Sequence, residues 1–377
     1  MEHQSLGVNF IGPVEYINGL SVSARGYIAS LLNSSIPLNI IRWKYGFEHV
    51  EKVPVNYPSR EMQSINLVHL NFDLLYSLNF LDIEPLRSIL DPARYNICIV
   101  YWELASILPE WFNIIHRFDE IWCASSFMAR AFGVISANPV RTIRPALNFK
   151  NSSGGRDRQS FGLPRNTYIF FFTADSGSVL GRKNPGALVD AYINEFDPED
   201  GACCLIKLHY GTTEDWELMR IVEISKNRPD VIFMDQILNS ADMNALFHNI
   251  DCYVSPHRSE GLGLTVLEAM AAEKPVIATP YGGVADFVTE DTAFLLDYRL
   301  TEVGSKNFPY PPEYIWADPT IESLQRQMRY VFENRTQAQL LAKNAFQKIS
   351  KLFSIETTSD LIQEELNRIW RRDREAY

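Results

Sequence analysis

The chain has 377 residues, of which 46% are hydrophobic and 12% aromatic, and it carries a formal net charge of -11. That length has room for two domains, and the apolar content excludes a disordered chain. The acidic balance excludes a general nucleic-acid surface, which needs a basic stripe, but it leaves room for a local basic pocket.

The 5 cysteines, Cys98, Cys123, Cys203, Cys204 and Cys252, sit in apolar runs without CxxC spacing. Buried free thiols in a reducing compartment are therefore expected. The start, Met1 to Ser5, lacks a basic stretch leading into an apolar core. No apolar run approaches the roughly 20 residues that span a bilayer. A cytoplasmic protein is expected.

In chain order, residues 7–11 read as a first strand, ended by Gly12-Pro13, with a loop running on to Gly19. Ser21 or Ser23 is placed to cap a helix whose apolar face holds Ala24, Tyr27, Ile28, Leu31 and Leu32. Strand, glycine-bearing loop and helix are how a nucleotide-type α/β domain begins, although no GxGxxG fingerprint is present. Arg25 reads either as an anion ligand or as a solvated helix arginine.

Further strands are read at 38–41, 65–70, 97–101, 120–123 and 141–143, with helical stretches between several of them. This alternation predicts a parallel sheet covered on both faces. Ligands of such sheets bind beyond the carboxyl ends of the strands, which singles out Asn71-Phe72-Asp73 and Trp102-Glu103. Glu103, beside two aromatics, reads as an acid that orients a sugar hydroxyl or acts as a base, or as a helix cap. His69 reads as a satisfied core histidine, and Asp119-Glu120 as a solvated turn.

Residues 148–159, NFKNSSGGRDRQ, form the clearest linker. The expected division is an acceptor-side domain over 1–150, a nucleotide-sugar domain over 151–355 and a final helix over 356–377. The second half opens with an apolar strand at 168–172 and leads to Arg182-Lys183-Asn184-Pro185, where Pro185 suits the first turn of a helix. Two adjacent cations at a strand-to-helix junction invite an anion. Strands follow at 205–208 and 231–234, and the turn around Ile237 has backbone groups free to read a nucleobase edge. A helix at 242–248 precedes a strand at 251–254.

The densest chemistry lies in residues 255–286, SPHRSEGLGLTVLEAMAAEKPVIATPYGGVAD. Glu260 occupies a polar turn, Gly261 and Gly263 follow, and residues 264–272 read as a short helix carrying Glu268. Glycines before a helix let a ligand approach free backbone N–H groups. Carboxylates at Glu260 and Glu268 suit the hydroxyls of a sugar and a ribose. His257 and His209 have no partner at metal-ligand spacing, and no metal site is expected.

Residues 308–319, with Pro309, Pro311 and Pro312, read as an extended loop. A long helical region starts at Ile321, and a last helix covers about 357–372. Its Arg368, Arg371 and Arg372, with Arg374, read either as a weak contact to anionic lipid or as a solvated helix end.

Together, Glu260-Gly261-Leu262-Gly263-Leu264, Glu268 in an E-x7-E spacing and Lys274-Pro275-Val276-Ile277-Ala278-Thr279 closely resemble the retaining glycosyltransferases of family 4. Arg182-Lys183 matches that family's phosphate-binding pair. Trp316-Ala317-Asp318-Pro319 is similar to its bacterial polysaccharide-assembly branch. The resemblance implies an α/β GT-B fold: two facing Rossmann-like domains with parallel sheets and an interdomain cleft. It also implies a last helix packing back on the first domain and no required metal or cofactor.

The implied activity is transfer of a hexose to a glycan or lipid-linked acceptor, with UDP-glucose the first candidate donor and GDP-mannose the second. By resemblance, Arg182 and Lys183 hold the donor diphosphate and Glu260 contacts the transferred sugar. Gly261, Leu262, Gly263 and Leu264 offer backbone donors, Glu268 holds the ribose, and the turn at Ile237 receives the base. The loop ending at Gly19 is similar to the family's donor-facing glycine loop. The histidine that many members carry near the end of an N-terminal strand is replaced here by Tyr101-Trp102-Glu103, leaving Glu103 as its substitute. A nucleotide-sugar epimerase and a non-catalytic sugar-nucleotide-binding subunit are the alternative readings.

Overall fold

The computed structural model describes residues 6–44, 52, 54–57, 61–72, 75, 87, 90–147, 149, 155–175, 178–209 and 216–375. The chain divides into two compact units, Met1–Asn148 with Lys351–Tyr377, and Phe149–Ser350. Asp73 and most of the stretch 148–154 lie outside the described residues.

The first unit holds β1 (Val8–Gly12), α1 (Gly19–Asn33), β2 (Leu38–Arg42), β3 (Ile65–His69) and β4 (Tyr95–Val100). It continues with α2 (Phe112–Ile115), β5 (Glu120–Cys123), α3 (Ser126–Gly133) and β6 (Val140–Thr142). The strands form one sheet in the order β2-β1-β3-β4-β5-β6, parallel at every pairing. Its central strands are buried along their length, which is why they read as continuous apolar runs.

An asparagine stands second in each of four strands, and parallel register brings the four side by side. Asn39 Nδ2 donates to Asn9 Oδ1 at 3.1 Å, Asn9 Nδ2 to Asn66 Oδ1 at 2.8 Å, and Asn66 Nδ2 to Asn96 Oδ1 at 2.8 Å. All four are buried, so a one-residue slip of any strand would strand amides without partners.

Two local expectations are corrected in this unit. The cap of α1 is Asn18, whose side chain accepts from the Ser21 N–H at 2.8 Å; Ser21 and Ser23 lie inside the helix and are buried. Glu120 is not a solvated turn residue, because it is 0% exposed. It accepts from Trp122 Nε1 at 2.9 Å and from the Tyr95 hydroxyl at 3.3 Å.

The second unit holds β7 (Tyr168–Asp175), α4 (Leu180–Lys183), α5 (Pro185–Glu195), β8 (Ala202–His209), α6 (Trp216–Asn227) and β9 (Val231–Asp235). After these come α7 (Ser240–Asn249), β10 (Cys252–Ser255), α8 (Leu264–Ala271), β11 (Val276–Ala278) and β12 (Phe294–Leu295). The sheet order is β12-β11-β10-β7-β8-β9, again parallel throughout. Phe170, Phe172, Leu188, Tyr192, Cys204 and Ile206 centre its core.

Residues 308–319 are not all loop. β13 (Tyr298–Glu302) and β14 (Ile315–Pro319) pair antiparallel, and the prolines at 309, 311 and 312 fall in the connection between them. Proline there removes no ladder donor, and the strand starts once the prolines end.

The chain continues through α9 (Ile321–Glu333) and α10 (Arg335–Leu352) into α11 (Ile355–Glu375). α11 belongs to the first unit, where Ile362, Leu366 and Ile369 join Tyr27, Ile28 and Leu31 in the core. Its Arg368 is partly exposed and ion-paired, with Nη2 reaching the buried Glu120 at 2.6 Å. The cysteines are all buried and unpaired. Among the described residues no helix is long and apolar enough to cross a membrane.

Candidate functional site

α4 is a single turn after β7, and it ends because Asn184 takes left-handed angles (φ 60°, ψ 44°). Pro185 then begins α5, where its missing N–H costs nothing. Asn184 Nδ2 donates to Pro256 O at 3.1 Å, so the turn is pinned to the segment that follows β10. This places both cations of α4 against that segment.

Arg182 is 4% exposed; its Nη1 donates to Ser259 O at 2.9 Å and lies 3.1 Å from Glu260 Oε1. Lys183 Nζ lies 2.5 Å from the same oxygen. Arg258 locks the other side. Its backbone N–H donates to Arg182 O at 2.7 Å, its Nη1 to Gly181 O, and its Nε to Asp318 Oδ1 at 2.7 Å. Its guanidinium lies over the Trp316 ring, 5.5 Å from the centroid, so β14 supports the cationic turn.

Burial by itself would push the Glu260 carboxyl up. Lys183 and Arg182 outweigh burial and hold it at about 2, so Glu260 is a permanent carboxylate near neutral pH. His257 is buried, and that burial depresses its imidazole to about 4. As a neutral ring it donates from Nε2 to Tyr281 O, 3.3 Å away, and accepts at Nδ1 from the Ser255 hydroxyl, 2.9 Å away. His257 therefore ties the Glu260 turn to the turn at Tyr281.

Glycines make the second tie. Gly283 N–H donates to Glu260 O at 2.6 Å. Gly282 has φ +85°, and a Cβ there would meet Glu260 O at 2.4 Å, so no other residue fits. Gly263, also at φ +85°, caps α8, and a Cβ on it would lie 2.3 Å from Val284 Cγ1.

The structure thus brings Arg182, Lys183 and Glu260 into direct contact, with Gly261, Leu262, Gly263 and Leu264 on the next turn and Glu268 on α8. Glu268 is half-buried, and burial pushes its carboxyl to about 7 against the opposing charge of Lys207. Ile237 is exposed on the loop after β9. Gly19 and Glu103 belong to the first unit, Gly19 as the exposed first residue of α1 and Glu103 half-buried on the loop after β4. His69, also there, is buried with Nε2 2.9 Å from the Ser23 hydroxyl, and burial depresses its imidazole to about 4.

Sequence reasoning missed Arg258, the tie through His257 and the buried Lys207. The visible signals were modest: His257-Arg258 just ahead of Glu260, and a lysine within the apolar run Leu205-Ile206-Lys207-Leu208.

The family model for Glycosyl transferases group 1 matches residues 182–302. The D-inositol 3-phosphate glycosyltransferase of Arthrobacter sp. (strain FB24) is 27% identical over 143 residues, 37% of this chain and 33% of that protein. The lipopolysaccharide core biosynthesis mannosyltransferase LpsB of Rhizobium meliloti (strain 1021) is 38% identical over 69 residues, 18% of this chain and 19% of that protein. The matched stretches thus span a third or less of these curated relatives.

Among solved structures, sucrose-phosphate synthase from Thermosynechococcus elongatus superposes with TM-score 0.67 at 16% identity, covering 98% of this chain and 100% of that one. The Anabaena protein HepE in complex with UDP and glucose superposes with TM-score 0.66 at 15% identity, covering 97% and 100%. At such identities the likeness speaks for the fold, and that fold is GT-B.

Proposed function

We propose that this chain, which carries a Glycosyl transferases group 1 domain over residues 182–302, is a retaining hexosyltransferase that uses a nucleotide-diphosphate sugar. The observation that carries the reading is the convergence of Arg182 and Lys183 on one oxygen of Glu260. Two cations on one carboxylate leave net positive charge, held in fixed geometry, for a diphosphate.

In the reaction, the bond between the anomeric carbon and the donor phosphate oxygen breaks, and its electron pair leaves with the diphosphate. An acceptor hydroxyl oxygen forms the new bond from the same face, and its proton passes to the departing phosphate oxygen. Arg182 and Lys183 neutralise the charge that develops there, so no metal is required for that task. Glu260 accepts from the sugar hydroxyls, the backbone N–H groups of Gly261 to Leu264 face the donor, and Glu268 accepts from the ribose. The loop carrying Ile237 receives the base.

UDP-glucose is the proposed first donor, and the Anabaena structure with UDP and glucose supports it. GDP-mannose is the second, supported by the relation to a mannosyltransferase. That relative's lipopolysaccharide role supports a glycan or lipid-linked acceptor in polysaccharide assembly, in the cytoplasm.

The test is a thermal-shift screen of UDP-, GDP-, ADP- and dTDP-sugars, followed by turnover of the best binder. A ligand that binds only the native state raises its stability, by about 2.7 kcal/mol at a hundredfold excess over Kd. Lys183→Ala should lower turnover about 10²–10³-fold, as loss of one transition-state donor does. Unchanged donor affinity and turnover in Lys183→Ala would remove the site assignment. Interconversion of the UDP-sugar without acceptor would favour an epimerase, and binding without turnover a non-catalytic subunit.

A further inference from the structure

α4 stops at Asn184, so the carbonyls of its only turn need donors from elsewhere. In a continuing helix, Gly181 O and Arg182 O would take them from residues 185 and 186. Pro185 has no N–H to give, and the Gly186 N–H donates instead to Glu217 Oε1 of α6, at 3.0 Å. Arg258 serves both carbonyls: its Nη1 donates to Gly181 O, and its backbone N–H to Arg182 O at 2.7 Å. One residue therefore replaces two helix donors at the turn that carries Arg182 and Lys183.

Arg258 is itself held from the side of β14. Its O accepts from the Ala317 N–H at 2.9 Å, and its Nε donates to Asp318 Oδ1 at 2.7 Å. Its guanidinium lies 5.5 Å from the centroid of Trp316, a ring that is 2% exposed. The connection between β13 and β14 closes on the same turn, since a Cβ on Gly181 would lie 2.1 Å from Asn307 Oδ1. Asn307 is fixed in turn, with Nδ2 donating to Val303 O at 2.7 Å. A guanidinium is a rigid planar fork, so this one side chain spans Gly181 O and Asp318 in a set direction.

We propose that Arg258 is a positioning residue of the donor-diphosphate site. By holding Gly181 O and Arg182 O against the β13–β14 hairpin, it fixes the direction in which Arg182 and Lys183 present their charges. It acts through those two cations, and its own charge is answered by Asp318. The proposal rests on the assignment of Arg182 and Lys183 to the diphosphate made above.

The experiment is calorimetric titration with inorganic pyrophosphate. It uses the wild-type chain, Arg258→Met, Arg258→Lys, Asp318→Ala, Asp318→Asn, Lys183→Ala and the double variant Arg258→Met/Lys183→Ala. Arg258→Met should weaken pyrophosphate about tenfold or more, because small misplacements of charged groups are costly. Arg258→Lys should lose nearly as much, since an ammonium lacks the fork that spans both partners. Wild-type affinity in Arg258→Lys would mean that charge alone suffices and would overturn the proposal. Asp318→Ala should cost about fivefold, the worth of one hydrogen bond, and Asp318→Asn, which keeps an acceptor for Nε, should cost less. The double variant should bind more tightly than the two single losses multiplied together predict, and simple multiplication overturns the proposal.

A second measurement needs no ligand. In crystals of Arg258→Met, the 2.5 Å contact between Lys183 Nζ and Glu260 Oε1 should open, and an unchanged contact overturns the proposal. Should the methionine variant not fold, Asp318→Ala carries the same comparison. If the contact opens but wild type binds neither pyrophosphate nor any of UDP, GDP, ADP and dTDP, the donor-site reading fails. Positioning of the two cations by Arg258 then still stands.

Discussion

Lys183 Nζ sits 2.5 Å from Glu260 Oε1, although 77 positions separate the two residues in the chain. Arg182 reaches the same oxygen at 3.1 Å, so a single carboxylate neutralises part of two buried or half-buried cations. The contact links β7's cationic turn to β10's glycine turn inside one unit, and most of the expected chemistry depends on it.

The first prediction concerns acid stability. The Glu260 carboxyl is lowered from 4.5 to about 2, so its contribution is fully present above pH 4.5 and is lost as pH falls through about 2. Glu260→Gln should flatten that acid limb in urea unfolding. At pH 7 it should destabilise by about 3–5 kcal/mol, because Arg182 and Lys183 are left without their counter-charge. Inorganic pyrophosphate should restore part of the loss. Wild-type stability in Glu260→Gln at pH 7 would contradict the pairing.

Glu268 has the opposite sign. Its carboxyl is raised from 4.5 to about 7, so the stability associated with the neutral form is complete below pH 4.5 and lost as pH rises through about 7. Glu268→Gln should match wild type in Tm at pH 4 and exceed it by a few degrees at pH 8. Calorimetric scans at both pH values check this, and a lower Tm at pH 8 would count against it.

Gly282 and Gly201 both have positive φ, but only Gly282 faces a backbone oxygen where a Cβ would go. Gly201→Ala should therefore cost only the left-handed strain of about 1–2 kcal/mol. Gly282→Ala should cost more, and should also weaken donor binding by displacing Glu260. Equal losses in the two variants would show that the close approach carries no weight.

In the first unit, Asn66→Ala should cost about 1–3 kcal/mol, since Asn9 and Asn96 lose the partner between them. Replacing Asn9, Asn39, Asn66 and Asn96 together by valine should cost less than the four single changes summed, because no amide is then left orphaned. Urea unfolding of the set measures the difference, and simple additivity would argue against a coupled ladder.

Much of this protein was legible because its signals are local. Apolar runs punctuated by glycine and proline located the main strands, and their alternation with helices implied parallel sheets in an α/β fold. Pro185 at a helix start and the Gly261–Gly263 turn before α8 follow from backbone constraints that each residue carries by itself. The adjacent cations and the paired glutamates were visible as residue types with a plausible task.

Partnerships between distant residues were not legible. Glu120 looked like a surface acid because Arg368, which neutralises it, lies 248 positions away. Asn9, Asn39, Asn66 and Asn96 became a ladder only when register aligned four strands, and β13 and β14 each lacked a pattern until they paired. Lys207 reads as an interruption in an apolar strand until register buries it between Thr173 of β7 and Met234 of β9. Sequence alone determined where the backbone must turn, stiffen or stay apolar, because sterics and hydrophobicity act residue by residue. Tertiary structure decided which charge answers which, because burying an ion is tolerable only where the fold supplies its counter-charge.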